Sequence, residues 1–256
     1  MLQKLKIIYL SIFIFILYSP ISILVINSFN HSIYSVKWEG FTLKWYYKLL
    51  KNYTLIEATK NSIFLASIST ITTCIIGTII SFSFYRYEYY GRKINYLLIQ
   101  IMTMFPDIIL GISLLFVFML FNLELGFKTL FISHITLALP FAILIIFSGF
   151  QGLDQNLIEA ARDLGANDYK ILKKLIIPII LPNILAAALI TFTLSLDDVL
   201  VSYFVSGPEY EILPIKIFAL AKIGTKPEVN AICSVILCSS ILLIFLSQII
   251  LKKNHD

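Results

Sequence analysis

Long apolar segments dominate this chain of 256 residues and restrict its helices to a lipid bilayer. A helix needs about 20 mainly apolar residues to cross the hydrocarbon core of a bilayer. Hydrophobic residues make up 59% of the sequence, which is too many for a soluble domain of this length. We therefore predict an all-α integral membrane protein with six transmembrane helices. Their predicted bounds are 7–29, 61–84, 94–120, 129–150, 179–205 and 229–251.

The connections between these segments set the expected topology. The sequence has no internal repeat, low-complexity tract or flexible linker, which predicts a single transmembrane domain over residues 1–256. An even number of spans places both termini on one side, and a slight excess of Lys and Arg on that side favours cytoplasmic termini. The first apolar run is long enough to span, and no Ala precedes Ala58, so we expect an uncleaved first helix.

Composition and motifs exclude several classes of function. The net charge of +5 is explained by basic residues that flank membrane spans, and no soluble segment combines a basic run with aromatic residues. We therefore predict no nucleic-acid binding. The three cysteines lie in apolar runs without metal-ligand spacing, which predicts no metal site. Because zinc-protease, nucleophile-elbow and phosphate-loop motifs are missing, we predict that the chain is not an enzyme.

The connection over residues 151–178 is polar, yet it carries the signals of two short helices. Asp154 is suited to cap the first helix and Gly165 to follow its C-terminus, which predicts about ten helical residues between them. Glu159 and Asp163 lie one turn apart on that helix. A short, rigid helix that is polar on its outer side is typical of a docking element, whereas an ordinary hairpin without a partner is the alternative.

The second helix of this connection is expected to be shorter. Asn167 is its predicted cap, and three lysines lie toward its C-terminal end, where the helix dipole favours cations. Pro178 is predicted to end this helix and to begin the next span. On the first helix, we expect Arg162 to pair with Glu159, which lies three positions earlier.

Acidic residues inside the apolar segments indicate a route for a cation. Asp197 and Asp198 lie about 27 Å along the fifth predicted helix, in its outer half. Because adjacent residues point about 100° apart, one carboxylate is expected to face a pathway and the other a neighbouring helix. Pairing with a neighbouring helix or subunit, without a role in the pathway, is the alternative. Asp107 follows Pro106, which breaks the helix and places the acid at a local N-terminus. It is interpreted either as a capped kink or as part of a cavity.

Aromatic and histidine side chains complete the set of candidates. Tyr203 lies beyond the acid pair and could add cation–π attraction for a cationic cargo. His134, near the outer end of the fourth span, is expected to be a satisfied or interfacial histidine. The connection over residues 30–60 combines Trp and Tyr with Lys, which favours an interfacial helix. Contact of that connection with a soluble binding protein is the alternative.

The loop sequence resembles the EAA loop of ABC-importer permeases. It has Glu159-Ala160-Ala161, a glycine four positions after the second alanine, and the closing run Leu175-Ile176-Ile177-Pro178. The family closes with I-x-L-P, and the closing run departs from this pattern only by exchanging apolar residues for other apolar residues. The resemblance implies the MetI-like fold of type I permeases and an ATPase docked on the loop. The residues that the resemblance assigns to this coupling are Glu159, Ala160, Ala161, Asp163, Gly165 and Pro178.

Further runs are similar to the second permease subunit of polyamine (spermidine/putrescine) importers. They include Asn27-Ser28-Phe29-Asn30, Pro106-Asp107-Ile108, Ser133-His134-Ile135-Thr136 and Ser195-Leu196-Asp197-Asp198. The resemblance implies a heterodimer with a sister permease in a bacterial inner membrane. It also implies two ATPase copies, which bind ATP and Mg, and an extracytoplasmic polyamine-binding protein. Asp107, Asp197, Asp198 and Tyr203 are then the candidates for the substrate pathway.

Two other transport functions remain open at the level of the sequence. A permease of the same superfamily with iron or thiamine as cargo would share the loop, although the acids disfavour an anionic cargo. A stand-alone ion-coupled carrier is the remote alternative, because such carriers are usually built from detectable repeats. Spermidine and putrescine are not distinguished by these residues.

Overall fold

The regular structure of this chain is helical, as the long apolar segments require. A computed structural model describes residues 2–32, 37–223, 227–238 and 241. The chain divides into two compact units, residues 58–215 and residues 1–57 together with 216–256. In chain order the helices are α1 Leu2–Ser28, α2 Lys44–Lys51, α3 Tyr53–Arg86, α4 Arg92–Met102, α5 Asp107–Leu120, α6 Phe127–Gln151, α7 Gln155–Asp163, α8 Asp168–Ile171, α9 Ile177–Asp197, α10 Leu200–Val205, α11 Leu213–Ile223 and α12 Pro227–Cys238.

The long helices agree with the predicted membrane class. Within the described ranges, four helical runs have the length and apolar character of a membrane span, and a bent pair, α4 with α5, would make a fifth. The all-α membrane fold is therefore confirmed. The sixth predicted span, 229–251, begins within α12, and its remainder apart from residue 241 lies outside the described residues. The count of six spans stays a prediction.

The third predicted span is not one straight helix. The break predicted within residues 94–120 is confirmed, because α4 and α5 meet at an angle of 110°. The break falls at Pro106, where the sequence predicts it. Proline has no N–H group to donate and restricts the residue before it to an extended conformation. Pro106 adopts φ −63° and ψ 127°, and α5 starts at Asp107.

The fifth predicted span is also interrupted, near its outer end. The sequence predicts one helix over residues 179–205, but α9 ends at Asp197 and α10 begins at Leu200. Asp198 lies between them with φ −67° and ψ 116°, which is an extended conformation. The acid pair therefore lies at a break and not on a continuous helix.

Small residues allow close approach in the unit formed by residues 58–215. A Cβ on Gly77 would lie 3.3 Å from the Cβ of Ala142, so α3 and α6 approach closely there. Gly149 on α6 leaves room for Asn183 on α9, whose side-chain atoms would lie 2.7 Å from an added Cβ. Asn183 also donates to the Ser148 hydroxyl at 3.2 Å. These contacts match the packing of membrane helices through small residues and interhelical hydrogen bonds.

Two clusters of buried apolar side chains stabilise the ends of this unit. One cluster contains Phe84, Ile146 and Phe150 together with residues of the 151–178 connection. The other contains Leu130 of α6, Val201 and Val205 of α10, and Ile212 of the segment that follows. The first cluster holds the 151–178 connection, which we call the docking segment after its predicted role, and the second holds the break in the fifth span.

The segment between α10 and α11 is fixed against α3 by hydrogen bonds. The Tyr210 hydroxyl donates to the Asn61 carbonyl at 3.1 Å, and the backbone N–H of Leu213 donates to the Ser62 hydroxyl at 2.7 Å. Burial raises the pKa of the Tyr210 phenol, so this group keeps its proton and remains a donor. The segment is thereby held as a rigid connection.

The unit of residues 1–57 and 216–256 is organised around Asn30 and Trp45. The Asn30 side chain accepts from the backbone N–H groups of Ser32 and Glu39, at 3.1 and 3.0 Å. The Trp45 indole of α2 donates to the Asn30 carbonyl at 2.7 Å. Lys48 of α2 forms an ion pair with Glu228 of α12. Within residues 30–60 the structure thus has the short helix α2 with one buried tryptophan, and its location at a membrane interface stays a prediction.

Gly207 is the position where the fold tolerates a side chain least. An added Cβ would lie 2.0 Å from the Leu125 carbonyl oxygen, which is backbone and cannot rotate away. We expect Gly207→Ala to lower the free energy of unfolding by about 1–3 kcal/mol or more, as overpacking does. The measurement is the thermal midpoint of the purified protein.

Gly152→Ala is the matched control for this prediction. Its added Cβ would lie 3.7 Å from the nearest atom, and its φ of −84° suits any residue. Its midpoint should stay close to that of the unmodified protein. Equal midpoints for the two variants would contradict the close approach at Gly207.

Candidate functional site

The docking segment begins with a helix that is capped at both ends. The Asp154 carboxylate accepts from the backbone N–H of Asn156 at 2.9 Å, so the predicted N-cap is confirmed. At the other end, Gly165 has φ +79°, and its N–H donates to the Arg162 carbonyl at 2.7 Å. The Ala166 N–H donates to the Ala161 carbonyl at 3.1 Å. This pair of bonds is the Schellman motif, which suits glycine because of its positive φ.

The two faces of α7 have different surroundings. Ile158 is buried in the apolar cluster at this end of the unit, and Ala161 packs against the same cluster. Glu159, Ala160 and Asp163 are exposed on the other side of the helix. The core therefore holds one face of α7 while the other face is free for a partner. Of the residues predicted for coupling, Ala161 has an anchoring contact.

Exposed apolar side chains surround this free face, and the sequence analysis did not select them. Leu164 is 89% exposed, Tyr169 66% and Leu157 47%. They lie in a segment that is otherwise polar, and a partner surface would remove them from water. The signal available in the sequence was Leu164 itself, an apolar residue directly before the helix-ending glycine.

An ion-pair cluster joins the docking segment to the end of α3. Arg162 lies 3.3 Å from the Asp168 carboxylate, and Arg86 lies 3.7 Å from the same oxygen. The predicted pairing of Arg162 with Glu159 is therefore corrected. Asp168 is in the first turn of α8, where the helix dipole also favours an acid. The Asn167 cap is confirmed, since its side chain accepts from the Lys170 N–H at 2.9 Å.

Pro178 does not end a helix, contrary to the prediction. Helical structure continues from Asp168 to Asp197 through a π-helical turn over Leu172–Ile176. In this turn the N–H of Ile177 donates to the Leu172 carbonyl, five residues earlier. A wider turn accommodates a proline that lacks an N–H and would otherwise clash with the carbonyl four residues before it. The docking segment and the fifth span are thus joined without a flexible link.

The two breaks in the membrane helices lie side by side. Gly111 of α5 lies against α10, where an added Cβ would be 3.1 Å from the Cα of Val201 and 3.0 Å from the Phe204 ring. The N-termini of α5 and α10 therefore start close together. Asp107 is exposed at the first of these starts, and Asp198 lies shortly before the second. The structure brings these two predicted residues together.

Asp197 and Asp198 have opposite environments. Asp198 is buried, and its oxygens accept from the N–H groups of Val201 and Ser202 at 3.1 and 2.7 Å, and from the Ser202 hydroxyl at 2.6 Å. Asp197 is exposed on the surface of the chain. Tyr203, also a candidate for the pathway, is 53% exposed and makes an edge contact with Phe204.

His134 connects the two sides of the break in the fifth span. Its Nδ1 is 2.6 Å from the Ser195 hydroxyl and its Nε2 is 2.9 Å from the Ser202 hydroxyl. The expectation of a satisfied histidine is confirmed. Its partners were not predicted, although the spacing of seven residues between Ser195 and Ser202 places two hydroxyls on one helical face. No group of three or more metal-ligating side chains occurs within the described ranges.

Apolar helices with two adjacent breaks, and a capped amphipathic helix fixed at one end, fit a helical membrane transport subunit. Residues 74–254 match the family described as the binding-protein-dependent transport system inner membrane component, and the chain belongs to this family. It is therefore a membrane transport subunit and not an enzyme.

Named relatives cover nearly the whole chain. It is 43% identical over 238 residues to the spermidine/putrescine transport system permease protein PotC of Escherichia coli K12, covering 93% of this chain and 90% of that protein. It is 44% identical over 239 residues to PotC of Haemophilus influenzae, covering 93% of each. The putrescine transport system permease protein PotI of Escherichia coli K12 is 34% identical over 228 residues, with coverages of 86% and 81%.

Solved structures show the same fold. A bacterial ABC transporter involved in import of the acidic polysaccharide alginate superposes with a TM-score of 0.76 at 18% identity, covering 98% of this chain and 95% of that chain. The MetNI methionine ABC transporter superposes with a TM-score of 0.64 at 19% identity, covering 79% and 97%. The predicted MetI-like permease fold is thus confirmed.

The hydrogen bonds of Asp198 predict a structural cost when its carboxylate is removed. Asp198→Ala would leave two N–H groups at the start of α10 without their acceptor. We expect the free energy of unfolding to fall by about 1–3 kcal/mol, as for a lost cap or an unsatisfied buried donor. Asp197→Ala is the matched control and should have little effect, because Asp197 is exposed. Equal thermal midpoints for the two purified variants would contradict this assignment.

Proposed function

We propose that this chain is a permease subunit of an ATP-driven importer of polyamines, in the bacterial inner membrane with both termini cytoplasmic. The observation that carries the proposal is the 43% identity, over 93% of the chain, to a permease named for spermidine and putrescine transport. A sister permease would complete the path. An external binding protein would deliver the polyamine, and two ATPase copies would bind the ATP and Mg.

The proposed docking of the ATPase on α7 is supported by the contacts that fix this helix against the core. Caps at both ends fix its length, and Ile158 and Ala161 fix its inner face against the core. Glu159, Asp163 and the apolar Leu164 are left on the outside. A movement of the ATPase would pass to the fifth span, because α8, the π turn and α9 form one continuous helical run.

The cationic cargo is supported by the acids at the paired breaks. Polyamines carry ammonium groups, which carboxylates bind through charge-assisted hydrogen bonds. Asp107 and Asp197 are exposed on this chain, whereas the oxygens of Asp198 accept bonds from α10. We therefore assign contact with the cargo to Asp107 and Asp197, with Tyr203 as an aromatic neighbour. Asp198 holds the local backbone that positions them.

Glu159→Lys is predicted to uncouple transport from the ATPase. It reverses a charge on the exposed face of α7 and leaves the anchoring face unchanged. We expect loss of uptake together with weaker co-purification of the ATPase. Glu124→Lys, an exposed glutamate in the connection before α6, is the matched control. Retention of the ATPase by Glu159→Lys would contradict the docking role.

Gly165→Val tests the same docking role through the backbone. The φ of +79° at this position is strained for a β-branched residue. We expect α7 to lose its defined end, and ATPase co-purification to fall while the thermal midpoint changes by only a few degrees. Normal co-purification would show that the shape of this helix end is unimportant for docking.

Labelled-spermidine uptake tests the cargo. Cells that lack this chain should lose uptake, and return of the chain should restore it.

Asp197→Asn should lower uptake roughly tenfold, the effect of losing about 1.4 kcal/mol of charge-assisted binding. Asp197→Glu, which keeps the charge, should retain more. Failure of the unmodified chain to restore uptake would overturn the polyamine proposal, whereas normal uptake by Asp197→Asn would overturn only its role.

A further inference from the structure

A cavity of about 600 Å³ lies beside α4, at the same end of the molecule as the docking segment. It is formed by the end of α3, the length of α4 and the end of α6, where Gln151 lies only four residues before α7. A volume of this size is typical of a ligand site. The cavity is separate from Asp107 and Asp197.

The wall formed by α4 changes in character along the helix. Arg92 and Lys93 line the cavity at the N-terminus, Tyr96 and Leu97 line it in the middle, and Gln100 lines it near the C-terminus. These positions share one helical face and extend over about 12 Å. A charged end, an apolar middle and a polar far end suit an elongated amphipathic ligand.

Three aromatic rings form the apolar part of the cavity. Tyr96 lies 5.5 Å from the Phe147 ring and 6.1 Å from the Phe84 ring, measured between centroids, and Phe84 lies 6.2 Å from Phe147. Such a rigid surface is suited to contact with a hydrocarbon chain. A second crevice of about 400 Å³ shares Phe84 and follows another side of α4, so this helix is incompletely packed on the chain.

The charged end favours an anion. Arg92 pairs with Glu88 at 3.8 Å, but the Glu88 side chain is 96% exposed, so this pair is weak and exchangeable. Among the described residues, no carboxylate lies within 4 Å of the Lys93 ammonium. Gly91, the residue before α4, brings no side-chain cap to the first turn, and that turn has no acid. The helix dipole therefore adds to the two cationic side chains.

The exposed apolar side chains of α4 favour a lipid over a soluble anion. Ile94, Leu97, Leu98 and Ile101 of α4 are all more than half exposed, and none of the residues of α4 is buried. Exposure of these apolar side chains to water would cost free energy, whereas the acyl chains of a bilayer would cover them. An amphipathic helix at an angle of 110° to the next helix fits the plane of a membrane interface.

We propose that this cavity binds one anionic phospholipid, with its phosphate on Arg92 and Lys93 and an acyl chain along the aromatic surface. The lipid would stabilise α4 and hence the bend that leads to Asp107. The inference rests on the proposed function only for the leaflet, since the cytoplasmic leaflet is the anionic one. A polyamine would be repelled by these cations, so the cavity is not part of the cargo route.

The test is native mass spectrometry of the full chain, purified in detergent with the subunits that co-purify. Phosphatidylglycerol and phosphatidylcholine are added at equal concentrations. We expect preferential retention of phosphatidylglycerol, weakened roughly tenfold or more in the double variant Arg92→Gln, Lys93→Gln. Lys128→Gln, at the opposite end of α6, is the charge-matched control and should retain the lipid. This readout needs no transport, so it is independent of the cargo assay.

Two further variants keep the test decisive if the double variant fails to fold. The exchange Arg92→Lys, Lys93→Arg keeps both charges and should retain phosphatidylglycerol. Leu97→Trp fills the cavity with both charges in place and should release it. Equal retention of the two lipids, or unchanged binding to the double variant or to Leu97→Trp, would overturn the proposal. Displacement of the lipid by glycerol 1-phosphate would also overturn it, in favour of a soluble-anion site.

Discussion

The hydrogen bonding of the backbone in a medium without water governs the rest of this structure. A continuous helix satisfies its own N–H and C=O groups, so each interruption in a bilayer needs a local replacement. At the break before α10, the replacement is the Asp198 carboxylate, which accepts two backbone N–H groups. At the break before α5, Pro106 has no N–H to satisfy. Both interruptions are therefore built by residues suited to them.

The pairing of the two breaks follows from one small residue. Gly111 lets α5 approach the backbone of α10, and a larger residue there would press on Val201 and Phe204. The helix starts are thereby held together, with Asp107 at one of them. His134 then links Ser195 and Ser202 across the second break, so that α9 and α10 keep a fixed relation. Carboxylates in an apolar surrounding are thus placed by packing and not by a flexible loop.

Much of this arrangement is predictable from the sequence, for physical reasons that differ by element. The caps Asp154, Asn167 and Gly165 follow local rules, because each satisfies backbone groups within a few residues of itself. The break at Pro106 is local in the same sense. The membrane class follows from length and composition alone. These features did not depend on what the rest of the chain does.

The parts that could not be predicted depend on contacts between distant residues. Arg162 was expected to pair with its helical neighbour Glu159, but it pairs with Asp168, which also pairs with Arg86 of α3. Asp197 and Asp198 look equivalent in sequence, and only the end of α9 makes one buried and the other exposed. The cavity beside α4 brings together residues of α3, α4 and α6 that are distant in sequence, which hydropathy does not report.

The π turn at Leu172–Ile176 also has a consequence for the evolution of such a subunit. It holds one residue more per turn than an α-helix, which is an offset of about 100° in the direction of side chains. The directions of the side chains of α8 and of α9 are therefore set separately, although both helices belong to one continuous helical run. Loss or gain of a single residue in this turn would rotate α8 by about 100° relative to α9 and leave the membrane-embedded surface of α9 intact.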